Sequence, residues 1–179
     1  PIKMDFSEND LYKTIDFPSE EVLLKEKNSK FFGYAIPVTS EEDVKENLER
    51  LRKEHFSARH WCYAYQIGTE KIQYRANDDG EPNNSAGMPI YGQIQSFEVT
   101  NILVVVVRYF GGVKLGVGGL ISAYKTAAQM ALENATIIEK TIDKHFIISF
   151  GYAHMNKVMR IIKEKNLQIV SQKMEMDCE

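Results

Sequence analysis

The chain has 179 residues, 44% hydrophobic and 26% charged, which excludes disordered, collagen-like and coiled-coil classes and suffices for one large domain or one domain plus a small one. Net charge is −3, from 22 Lys and Arg against 25 Asp and Glu, so the domain-wide basic footprint of non-specific nucleic-acid binding is missing. The longest apolar run, residues 102–107, is far short of the about 20 residues a membrane span needs, no leader pattern opens at Pro1, and two cysteines, Cys62 and Cys178, make no disulfide framework, so the expectation is a soluble cytoplasmic protein with no membrane contact.

In chain order, residues 1–19 read as irregular. Residues 22–24 and 31–36 read as two strands around a polar turn. Thr39 and Ser40 precede Glu41, Glu42 and Asp43, a helix start, and Val44, Leu48 and Leu51 form its inward stripe. The mixed charges on its other faces read as solvated surface. Residues 61–67 and 71–75 make a hairpin, and 77–86 is a loop by composition. Pro89 suits the first turn of a short helix with Ile90, Ile94 and Phe97 on one face. Residues 102–107 are β-branched and aliphatic throughout, which predicts a strand buried on both sides. Five of the 11 glycines then fall between Gly111 and Gly119, before a helix over about residues 120–133. Ala123, Ala127, Ala128 and Ala131 let that helix lie close to a sheet. The end of the chain reads strand 146–150, helix 153–165 with Met155, Val158, Met159 and Ile162 inward, and strand 167–176. Such a segment rarely buries enough apolar area to stand alone.

Three segments carry chemistry. RYFGGVKLGVGGL, residues 108–120, sits between a buried strand and a helix, in a stretch (99–132) with Arg108, Lys114 and Lys125 and no acid. Its glycines let backbone N–H groups approach a ligand, and the following helix start adds positive potential. Neither the phosphate-loop nor the dinucleotide fingerprint fits its spacing. Two readings stand: phosphate binding through Arg108, Gly111, Gly112, Lys114, Gly116, Gly118, Gly119 and Lys125, or a tight packing connection. NDDGEPNNSAG, residues 77–87, offers Asp78, Asp79 and Glu81 for a hard cation such as Mg²⁺ or for acid–base work, or else is a structural turn. In ARHWCYAY, residues 58–65, His60 and Cys62 share one strand face, yet such neighbours do not normally form a dyad. Cys62 therefore reads as a core thiol, and His60 as either a structural histidine or a site residue.

RHWCYAY, DDGEPNNSAGMPI and VVVVRYFGGVKLGVGGLISAY occur in this order, and in them the chain resembles the IMPACT/YigZ family, firmly over residues 12–140 and more loosely beyond. The resemblance implies an α+β fold. Residues 1–142 would form a domain similar to the second domain of a small-subunit ribosomal protein. Residues 143–179 would form a ferredoxin-like domain, of which only one β-α-β half is visible. It also implies a connection to translation, since the eukaryotic members regulate translation under amino-acid starvation by competing for an activator of a translation-factor kinase. It implies no reaction. The family's acidic-loop positions fall on Asp78, Asp79, Gly80, Glu81 and Pro82. Its glycine signature runs from Arg108 to Leu120, and its histidine falls on His60. Ser122 stands where the family commonly has Arg, which removes one expected phosphate contact. Asn84 and Ser85 replace its usual Gly and Thr.

Two functions follow. The first is a translation-associated regulator that binds RNA, the ribosome or a translation-factor partner through the face of Arg108, Lys114 and Lys125, with no cofactor expected. The second is an enzyme or binder of a small phosphorylated ligand, with the glycine loop on phosphate, the acidic loop on Mg²⁺ or a proton, and His60 as acid–base partner. Homo-oligomerisation by strand addition at the edge of the half domain is a further expectation.

Overall fold

The computed structural model describes residues 1–175, so Met176 and Cys178 lie outside the described residues. The fold is α+β. Its elements are β1 (Ile2–Ile15), β2 (Val22–Glu26), β3 (Ser29–Pro37), α1 (Glu41–Glu54), β4 (His60–Ile67), β5 (Gln73–Asn77), α2 (Gly87–Ser96), β6 (Ile102–Tyr109), α3 (Gly116–Asn134), β7 (Ile137–Phe150), α4 (Met155–Glu164) and β8 (Gln168–Met174). No described helix is long and apolar enough to cross a membrane. Cα packing divides the chain into two units, Tyr12–Glu139 and Pro1–Leu11 with the chain from Lys140 onward.

The large unit is a five-stranded sheet in the order β2-β3-β6-β4-β5, antiparallel at each pairing. Lys27 and Asn28, both at positive φ (44° and 66°), turn β2 into β3. The two faces follow the period of 2. Phe31, Ala35, Cys62, Ala64, Val104 and Val106 pack under α2 and α3, whereas Tyr34, Ile36, Tyr63, Tyr65, Val105 and Val107 pack under α1. β6 is covered on both faces, as its continuous apolar run requires. α3 comes so close to β3 that a Cβ on Gly33 would lie 2.8 Å from the Ala127 carbonyl oxygen. The alanine stripe and Gly33 make that approach possible.

α1 begins where its capping residues place it: Ser40 Oγ accepts from the Asp43 N–H, and Val44, Leu48 and Leu51 are its buried positions. α3 begins at Gly116, four residues before the sequence suggests. Gly116, Gly118 and Gly119 are thus the first turn of a helix and not a loop in front of it.

The small unit has a three-stranded sheet in the order β7-β1-β8, with β1 antiparallel to β8. The expectation of irregular structure over residues 1–19 is corrected: Ile2 and Met4 are fully buried, and with Ile162 they centre a core completed by Ile148, Phe150, Met155, Val158 and Leu167. Alternating apolar and charged residues from Ile2 to Asp5 are the strand signal. Met159 faces outward instead of into this core. The β-α-β segment is completed by a strand from the far end of the chain.

Candidate functional site

The register of three strands assembles the site. Arg108, near the end of β6, lies opposite Phe31 of β3 on one side and His60 of β4 on the other. All three are on the face covered by α2 and α3. Arg59 is tied to the same place by its N–H, which donates to the Arg108 carbonyl. The 77–87 loop then folds over this row.

The loop holds itself in place with two of its three carboxylates. Asp78 Oδ1 accepts from the N–H groups of Ala86 and Gly87, at 3.1 and 2.8 Å, and its Oδ2 accepts from Asn84 N–H. It thereby ties the loop to the start of α2. Asp79 Oδ2 accepts from Trp61 N–H at 2.8 Å, and the Asp79 carbonyl lies 2.7 Å from His60 Nδ1. Glu81 turns inward instead. Its side chain is 4% exposed, and its Oε1 accepts from Arg108 Nη1 at 2.6 Å and from the Tyr124 hydroxyl of α3 at 2.8 Å, with His60 Nε2 at 3.6 Å. Burial pushes the Tyr124 hydroxyl far above the usual tyrosine range, so it stays a donor. Arg108 Nη2 reaches Ser29 Oγ at 3.4 Å, while its buried Nε has no partner.

The three acidic candidates, Asp78, Asp79 and Glu81, therefore do not converge, and no group of three His, Cys, Asp or Glu among the described residues could hold a metal ion. Cys62 is wholly buried and its Sγ donates to the Asp78 carbonyl; burial pushes its thiol far up, away from nucleophile chemistry.

Beside the buried pair is a cleft of about 450 Å³. Arg59 and His60 line it from β4 and its approach, Glu81 and Pro82 from the acidic loop, and Arg108 and Phe110 from the end of β6. Lys114, Leu115, Gly116, Val117 and Leu120 close it with the first turn of α3. That helix start has no side-chain cap at Leu115 and no acid in its first turn, so its free N–H groups keep their positive potential. The two motifs and His60 thus meet in one place.

The other candidates are spread out. Gly111 sits against the β2–β3 turn, where a Cβ would come within 2.0 Å of the Asn28 backbone, and its N–H donates to Ser29 Oγ. Its role there is close approach. Gly112 is exposed at positive φ, and Gly118 and Gly119 stand on the first turn of α3. Lys125 is exposed a further two turns along α3 and lines a different hollow with Gln93 and Gln129. Three contributors were not assigned roles from sequence. Tyr124 closes the quoted glycine-rich motif, but nothing local to it signals a buried partner. Ser29 is a turn residue. Arg59 stands beside His60 in the quoted motif, and its adjacency is the one cue that pointed to it.

A family model described as the Impact N-terminal domain matches residues 27–132. The chain is 33% identical over 153 residues to IMPACT family member YvyE of Bacillus subtilis, covering 86% of this chain and 70% of that protein. It is 33% identical over 147 residues to IMPACT family member YigZ of Escherichia coli, covering 81% and 72%. A crystal structure described only as a hypothetical protein superposes with a TM-score of 0.69 at 28% identity, over 93% of this chain and 81% of that one. The family model spans the acidic loop, His60, Arg108 and all but the last two residues of α3, which are the elements that build the cleft, and on that match the chain belongs to the IMPACT family.

Proposed function

We propose that this chain is a translation-associated regulator that works by binding, and that the rim of the cleft is where it meets RNA of the ribosome. The family resemblance supports the connection to translation. One observation carries the choice of surface: Arg59 and Lys114 are both exposed, neither has a carboxylate partner among the described residues, and both line the cleft at the uncapped start of α3. Arg108, by contrast, spends its charge on Glu81. Contacts of this kind fix position on a phosphate backbone without reading sequence. Their small number, in a chain of net charge −3, makes binding local and salt-sensitive.

The test is co-sedimentation with ribosomes on sucrose gradients at low and moderate salt, comparing the native chain with Lys114→Glu. The expected result is co-migration of the native chain at low salt that weakens with salt and is lost in Lys114→Glu. Co-migration of both proteins alike removes the cleft rim from the reading, and migration of neither with ribosomes removes the RNA contact itself.

A further inference from the structure

Resting on the reading of this cleft as a phosphate-binding surface, we infer that it takes the end of a nucleotide: a phosphate monoester seated between Arg59, Lys114 and the first turn of α3, with its nucleoside against Phe110 and the apolar wall. Four observations converge on this ligand class.

The first is charge. Inside the cleft Glu81 and Arg108 neutralise each other at 2.6 Å, which leaves Arg59 and Lys114 as the uncompensated side-chain charges. They come from different segments, one just before β4 and one just before α3. A carboxylate or a backbone phosphodiester brings a single negative charge. A monoester brings about −1.5 to −2 at neutral pH and three acceptor oxygens. Two cations together with a helix start match the charge of a monoester better than that of one carboxylate or one phosphodiester.

The second is a desolvated cation in the wall. The Arg108 side chain is 6% exposed, lines the cleft, and keeps Nε buried without a partner. The pair cancels in charge, but it leaves one buried donor of the wall without an acceptor.

The third is shape. A concavity of about 450 Å³ is of the size that holds a small molecule, and it suits a chain end better than a strand that must enter and leave. The fourth is the aromatic and apolar lining. Phe110 is 36% exposed, the Arg59 and Arg108 guanidinium carbons lie 5.0 and 5.5 Å from its ring centroid, and Leu115, Val117 and Leu120 continue the surface. Rings of this kind stack on bases without selecting among them.

The monoester could be the 5′ end of an RNA or a free nucleotide, and one experiment separates them. Fluorescence anisotropy is measured on a short single-stranded RNA labelled at its 3′ end, prepared with a 5′-phosphate and with a 5′-hydroxyl, and adenosine 5′-monophosphate and adenosine are titrated separately by calorimetry. The expected result is binding of the 5′-phosphate RNA at least about tenfold tighter than its 5′-hydroxyl twin, the ratio for one or two charge-assisted hydrogen bonds. That preference should vanish in Arg59→Ala/Lys114→Ala, whose melting temperature should match the native chain because both side chains are exposed. Equal binding of the two RNAs with no response to adenosine 5′-monophosphate overturns the monoester inference and leaves the RNA contact standing. Binding of adenosine 5′-monophosphate but not adenosine, with neither RNA bound, supports the monoester inference and overturns the RNA contact. No binding in any arm overturns both. A 5′-phosphate preference that survives in the double variant overturns the assignment to this cleft.

Discussion

At the scale of single residues, the buried pair of Glu81 and Arg108 sets what the cleft can do. Two charges taken out of water are tolerated here because Oε1 of Glu81 receives both Arg108 and Tyr124. Removing one partner leaves the other buried and unpaired. Glu81→Leu should therefore cost about 3–5 kcal/mol in urea unfolding, and Glu81→Leu/Arg108→Met should recover most of that loss, since an apolar pair of similar volume avoids the stranded charge. A double variant as unstable as the single one would mean that the pair stabilises by more than mutual neutralisation. Both residues stand out in the sequence, each as a free ligand-binding group. Their mutual neutralisation was not legible, because it joins positions 27 apart through a loop that folds over a strand register. Cys62 was legible as a core thiol for a local reason: it lies within an apolar strand that is buried on both faces, and its side packs under α2 and α3.

At the scale of elements, legibility follows how local the deciding forces are. The start of α1 is set within four residues. Ser40 Oγ accepts from Asp43 N–H, and Asp43 Oδ2 accepts from both the N–H and the hydroxyl of Thr39. Donation from the Thr39 N–H, then from its hydroxyl, holds the Asp43 carboxyl below the ordinary carboxylate range. A carboxylate lowered on folding stabilises above its unfolded pKa of about 3.9, and that contribution fades as pH falls through the lower folded value. Asp43→Ala should thus melt below the native chain at neutral pH, and the gap in melting temperature should close as pH drops below about 4. A gap independent of pH would assign the loss to something other than the carboxylate's charge, since Ala is the better helix former of the two. The start of α3 has no such local code. Glycine is a poor helix former, so Gly116, Gly118 and Gly119 read as loop. What recruits them is the burial of Leu120, Ala123, Tyr124 and Ala127 further along the same helix, which fixes the axis and lets the first turn follow.

At the scale of the whole molecule, the chain is divided where the sequence gives least warning. A boundary at 142/143 follows from the restart of strand and helix patterns, but the unit beyond it begins at Lys140 and also includes Pro1–Leu11. The strand pattern of residues 2–5 is plain once seen. Its partner is not, because Ile2 pairs with Met174 across nearly the full length of the chain. That pairing has a consequence for stability. A three-stranded sheet under one short helix is close to the smallest assembly that holds, and Ile2, Met4 and Ile162 are the residues buried at its centre. Met4→Asp places a charge in that centre with no partner built for it. Hydrogen exchange should then show amides of α4 and β8 losing protection, while those of β6, covered on both faces by the large unit's own cores, keep theirs. Loss of protection in β6 in step with β8 would mean that the two units open together and that the first strand is a stabilising element for the entire chain. Protection unchanged in both would mean that Met4 is not the centre of that core. Selective loss would show that the N-terminal strand completes a unit which opens by its own equilibrium, apart from the unit that carries the cleft.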